Sequence, residues 1–120
     1  MTVTATLELA IRPESADVAA AVIHEVLEAT RAFAGNQGVE VLVDTENPLR
    51  IVLLERWESL EADAAYRAWR AGDGTSNLGS ILSGPPVLGL FTTASGVKQS
   101  RRLPFSLDFG DDSGTSRPSG

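Results

Sequence analysis

The chain has 120 residues, no cysteine, one histidine, and 16 acidic against 10 basic side chains, for a net charge of −6. That length accommodates one domain with one core, and the acidic balance argues against the basic stripe of a nucleic-acid binder or a partner of anionic membrane. The absence of cysteine excludes disulfides, thiolate metal sites and thiol nucleophiles, and a lone histidine excludes multi-histidine metal centres. No apolar run approaches the roughly 20 residues of a membrane span. The N-terminal residues lack the charged-then-apolar layout of a signal peptide, so a cytoplasmic location is expected.

Residues Thr2–Ile11 alternate, with Val3, Ala5, Leu7, Leu9 and Ile11 on one side, which is the period of a strand. Pro13 ends it, and Ser15 is placed to cap a helix with Asp17 in its first turn. Val18, Val22, Val26, Ala29 and Phe33 then recur at helical spacing, with Ala19, Ile23 and Thr30 widening the stripe, until Gly35 closes the helix. Val39, Val41 and Val43 mark a second strand, and the turn Asp44-Thr45-Glu46-Asn47-Pro48 leads to a third strand, Ile51–Trp57. Ser59 caps a second helix over about Leu60–Ala71, which breaks at Gly72-Asp73-Gly74. A short helical turn near Asn77–Leu82 and a last strand, Val87–Thr93, complete the pattern.

This β-α-β-β-α-β order predicts an α+β, ferredoxin-like fold, with a four-stranded antiparallel sheet and both helices on one face. Ile51, Val52, Leu53 and Leu54 are apolar on both faces of the third strand, so the second sheet face also needs cover. A second copy of the sheet is the simplest cover, which predicts a homodimer. The domain is expected to span residues 1–94. Residues 95–120 read as a tail, since 12 of these 26 residues are Ser, Gly or Pro. The alternation Leu103, Phe105, Leu107, Phe109 leaves open an arm that adds a strand to a neighbouring subunit.

Two segments resemble the antibiotic biosynthesis monooxygenase (ABM) family: Ala29-Thr30-Arg31-Ala32-Phe33-Ala34-Gly35 before a strand, and Val52-Leu53-Leu54-Glu55-Arg56-Trp57-Glu58-Ser59-Leu60-Glu61-Ala62 entering a helix. The resemblance implies the dimeric α+β barrel, in which two ferredoxin-like sheets meet face to face. It also implies a cavity between sheet and helices, with the junction tryptophan at Trp57. The chain departs from family patterns at Leu53, where anthrone-oxidising members keep asparagine, and at Asp63, where they keep tyrosine, although Tyr66 lies one turn on. Haem-degrading members keep a first-strand asparagine, at Leu7 here, and a histidine in the region of Leu78-Gly79-Ser80. The implied activity therefore uses no haem.

Tyr66 and Arg70, four residues apart on one helix face, are the candidate catalytic pair. Together with Trp69 they offer a hydroxyl, a guanidinium and an indole N–H to a phenolate or enolate oxygen. Trp57, Trp69, Phe33 and Leu53 are the candidate substrate-binding residues, with an aromatic substrate stacking on the indoles. His24 falls with Asp17, Glu28 and Arg31 on the wet helix face, and Asn36 and Asn77 flank breaks in the chain, as turn and cap residues do. Glu55, Glu58 and Glu61 suggest a metal site only weakly, because strand alternation separates Glu55 from Glu58. The glycine run Gly72–Gly79 lacks dinucleotide-binding spacing.

With no cofactor and no metal expected, the electrons for oxygen activation must come from the substrate. The adopted reading is a cofactor-independent monooxygenase (an oxidoreductase) acting on an anthrone- or hydroquinone-type polyketide intermediate. The alternatives are a cyclase or isomerase using the same enolate pocket without O₂, and a non-catalytic small-molecule-binding protein.

Overall fold

The computed structural model describes residues 1–100; the alternating segment Leu103–Phe109 and its expected role as an arm lie outside the described residues. Strands β1 (Val3–Ala10), β2 (Asn36–Val43), β3 (Arg50–Trp57) and β4 (Val87–Thr92) interleave with helices α1 (Ala16–Ala32) and α2 (Leu60–Ala71). The sheet order is β2-β3-β1-β4 with every neighbouring pair antiparallel. This is the ferredoxin-like arrangement expected from the element order. Among the described residues no helix is long and apolar enough to cross a membrane.

Register decides which side chains meet the helices. β1 runs against β3 with Val3 opposite Trp57, Ala5 opposite Glu55, Leu7 opposite Leu53 and Leu9 opposite Ile51. Directly opposed residues share a face, so these eight form the helix-facing centre of the sheet. Two apolar clusters rest on it. Leu9, Ile51 and Leu53 pack with Ala19, Ile23 and Leu27 of α1, while Val3, Ala5 and Trp57 pack with Tyr66 of α2.

Local chemistry sets the element ends. Ser59 Oγ accepts the backbone N–H of Ala62 at 3.1 Å and so caps α2 as expected. Ser15 does not cap α1 through its side chain; its backbone closes a single 3-10 turn over Pro13–Ser15 that continues into the helix. The buried stripe of α1 is also rotated from the expected one. Val18 is 52% exposed, whereas Leu27 is fully buried. The side facing the sheet is Ala19, Ile23, Val26, Leu27 and Thr30, which turns Val18 outward even though Ala19 of the same turn is buried. Gly35, at φ +90°, turns the chain from α1 into β2, and a Cβ there would lie 2.6 Å from that of Ala62. Its carbonyl accepts the N–H of Glu58 at 2.9 Å, which ties this turn to the β3–α2 junction.

Among the described residues no element covers the opposite sheet face. Val52 and Leu54 at its centre are half-buried, Leu42 and Val87 flank them, and the 57%-exposed Phe91 leans its ring over Gly89.

Candidate active site

A cavity of about 210 Å³ opens between the sheet and the helices, near the seam of the two apolar clusters. Leu7 of β1 and Leu53 and Glu55 of β3 form its floor. Val26, Leu27 and Thr30 of α1 make one wall, Tyr66 and Arg70 of α2 the other, and Thr75, Ser76 and Leu78 the mouth. Thr75 and Ser76 of the mouth, with Glu25 and Asn77, border an adjoining polar cleft of about 300 Å³ that shares Val26 and Arg70. Such a site is apolar within and carries a few convergent polar groups.

Arg70 is held from several sides. Its Nε donates to the Tyr66 hydroxyl at 2.8 Å, Nη1 to the Gly74 carbonyl at 3.1 Å, and Nη2 to the Val26 carbonyl at 2.8 Å and Thr30 Oγ1 at 3.1 Å. A guanidinium has five N–H groups, so among the described residues one donor on Nη1 has no partner. The hydroxyl protons can also be placed. Thr30 Oγ1 donates to the Val26 carbonyl at 3.2 Å, so Tyr66 is the donor in the 2.6 Å contact between the two hydroxyls. Tyr66 thus accepts from Arg70 and spends its own proton on Thr30.

Glu55 is the carboxylate that reading the sequence did not select for chemistry. It is 1% exposed and lies on the cavity floor. Oε1 accepts from Trp57 Nε1 at 3.2 Å and from Arg67 Nη2, whose guanidinium also binds Asp63 Oδ1 at 3.0 Å. The paired guanidinium compensates a charge that would otherwise be costly to bury. Oε2 has no hydrogen-bond partner among the described residues, yet it is not one of the fully enclosed unpartnered atoms. The sequence did hold a signal: Glu55 continues the inward series Ile51, Leu53 and Trp57, and a carboxylate within such a series requires a partner.

Six residues were selected from the sequence. Tyr66, Arg70 and Leu53 meet at the cavity, while Phe33, Trp57 and Trp69 do not line it. These three join Tyr66 in an aromatic cluster behind the wall, with Phe33–Tyr66 centroids 5.3 Å apart and Trp57–Tyr66 centroids 4.8 Å apart. Trp57 is fully buried. Arg70 stacks on the Trp69 ring at 4.8 Å, and the ring packs so closely on Gly74 that a Cβ there would overlap it. The cluster fixes where Tyr66 stands, and Tyr66 in turn holds Arg70.

A larger cleft of about 430 Å³ lies between α1 and the outer strand β2, lined mainly by alanine and aliphatic side chains. Its polar groups are His24 and Arg31 on the helix and neighbouring backbone; His24 lies 3.6 Å from Glu28 with both side chains exposed. Asn36 opens β2, its Oδ1 accepting the N–H of Gly38 at 3.0 Å, as a turn residue does. Asn77 precedes the short helical turn Leu78–Ile81.

The fold and its sheet-to-helix cavity define the class of small α+β, ferredoxin-like domains. A family model described as antibiotic biosynthesis monooxygenase matches residues 2–76, and the chain belongs to that family. No curated protein matches the chain. Solved structures do. A mutant of SnoaB, a cofactor-independent oxygenase from Streptomyces nogalater, superposes with a TM-score of 0.67 at 14% identity, covering 82% of this chain and 98% of that one. A conserved protein from Methanosarcina mazei Go1 gives a TM-score of 0.65 at 17% identity, with 76% and 91% covered. Rv0793 from Mycobacterium tuberculosis gives 0.61 at 19% identity, with 82% and 100% covered. At these identities the likeness concerns the fold.

Proposed function

We propose that this chain is a cofactor-independent monooxygenase whose substrate is an aromatic, polyketide-like carbon acid of the anthrone or hydroquinone type. The observation that carries the reading is the anchored Arg70 guanidinium, which keeps its charge, and one N–H without a partner among the described residues, at a cavity floored by Leu7, Leu53 and Glu55. Such a group stabilises the oxyanion that forms when the substrate loses a proton. The delocalised anion then supplies the electrons that reduce dioxygen. In the balanced reaction an anthrone methylene becomes a carbonyl: the substrate gains one oxygen and loses two hydrogens, and the second oxygen leaves as water. The apolar lining excludes solvent from the reactive intermediates. SnoaB, a structural neighbour that is itself a cofactor-independent oxygenase, supports the same reading.

In this scheme Arg70 stabilises the oxyanion, Tyr66 positions Arg70, and Leu53 contacts the substrate rings. Phe33, Trp57 and Trp69 shape the site from behind. The proposed working unit is a cytoplasmic homodimer joined through the open sheet faces. The test is mass spectrometry of anthrones and uncyclised aromatic polyketides incubated with metal-stripped protein in air. Gain of one oxygen with loss of two hydrogens, abolished under nitrogen, is expected. Leu53 favours a second reading, because it presents only apolar carbon to dioxygen where anthrone-oxidising relatives present asparagine. Loss of water or an isobaric shift indifferent to O₂ would establish that cyclase or isomerase instead. Thermal stabilisation by a compound that is never converted would establish a binding protein.

A further inference from the structure

We infer that Glu55 is the general base of this cavity, taking the acidic C–H proton of the substrate on Oε2. The inference deepens the proposed function and rests on its reading of the cavity as an enolate-forming site. Three observations carry it. Glu55 is buried on the cavity floor, its Oε1 is engaged by Trp57 and Arg67, and its Oε2 has no hydrogen-bond partner among the described residues. Two anchors on one oxygen hold the carboxylate in place and leave the other oxygen as its only unoccupied acceptor. Arg70 lies on the wall of the same cavity, with one N–H on Nη1 that has no partner among the described residues.

A fixed acceptor and a fixed cationic donor at one apolar cavity are the two groups that enolisation requires. In the step, the methylene C–H bond breaks and its proton forms an O–H bond to Oε2. The electron pair stays on the substrate, delocalised onto the carbonyl oxygen that faces Arg70. No electron leaves the substrate and no oxidant takes part, so the step is complete before dioxygen reacts.

This makes the step measurable alone. Anthrone is the probe, and the measurement is anaerobic exchange of its methylene hydrogens with D₂O, followed by NMR alongside anthrone binding. Wild-type protein is expected to bind anthrone and accelerate exchange. Glu55→Gln, assayed below its melting transition, is expected to bind anthrone but to lose acceleration by at least about 100-fold, the low end of general-base effects. Glu55→Asp retains a carboxylate and is expected to exchange faster than Glu55→Gln. Wild-type exchange by Glu55→Gln would overturn the assignment. So would loss of binding together with exchange in both variants, which marks a structural role, or wild-type binding without acceleration. Acceleration by wild type under nitrogen with no oxygenated product in air would sink the monooxygenase reading and leave Glu55 as the base of an enolising enzyme.

Discussion

Arg70 gathers four acceptors from three parts of the chain: Tyr66 on its own helix, Val26 and Thr30 on α1, and Gly74 beyond α2. Lysine has one compact ammonium and cannot reproduce that fork. Arg70→Lys is therefore expected to fold and to lose about 10²–10³ in kcat on an anthrone substrate, the scale of removing an oxyanion donor. Tyr66→Phe deletes the hydroxyl between Thr30 and Arg70 and leaves the buried Thr30 and the half-buried Arg70 each short of a bond. Urea unfolding should show a loss of about 1–3 kcal/mol, and turnover should fall less than in Arg70→Lys, because the guanidinium itself remains. Equal turnover losses in both variants would make Tyr66 a direct participant. The pairing of Tyr66 with Arg70 was legible in the sequence, since residues four apart on a helix are neighbours. The direction of the tyrosine proton was not, because Thr30 fixes it from 36 residues away.

At the scale of elements, the turns and caps carry the predictions. Ser59 is the side-chain cap of α2, the helix that bears Tyr66 and Arg70. Ser59→Ala should cost about 1 kcal/mol in chemical denaturation. Gly35→Ala should cost more, because it adds a left-handed backbone penalty to a clash with Ala62. The β2–β3 turn is pH-sensitive. The backbone N–H of Glu46 and the Arg50 guanidinium hold the Asp44 carboxyl below the usual carboxylate range, and Arg50 is raised in return. A carboxylate lowered on folding stabilises fully above its unfolded value, about 3.9, and that contribution is lost as pH falls through the folded value. The melting difference between wild type and Asp44→Asn should thus be constant above about pH 5 and shrink on acidification. A gap independent of pH down to strong acid would rule out ionised Asp44 as its source. Strand and helix limits for β3 and α2 could be read directly, because their periodicity and their flanking Ser59 and Gly72 agree. The buried face of α1 could not, because apolar residues lie on more than one side of that helix and only the sheet decides which side turns inward.

For the whole molecule, the open sheet face dominates. Val52, Leu54, Leu42, Val87 and Phe91 present an apolar surface with no helix over it among the described residues. Light scattering coupled to gel filtration should give a dimer for the full chain. Leu54→Glu places a charge at the centre of that face and should yield a folded monomer at the same loading. A wild-type monomer across the accessible concentration range would remove the face-to-face dimer from the proposal.

The order of elements, and with it the ferredoxin-like fold, was determined by the sequence alone. Periods of 2 and 3.6 residues, Ser59 before a helix and glycine after one are local signals that need no partner. The apolar character of both faces of β3 was equally local. The tertiary structure alone decided which groups meet. Arg70 finds Thr30 from 40 residues away and Val26 from 44, and Arg67 finds Glu55 from 12. Periodicity tells which face a side chain takes but not which residue of another element lies across from it. The inward position of Glu55 on β3 therefore shows in the sequence that it needs a partner, but its arginine, its tryptophan and the cavity beside it are set only by the fold.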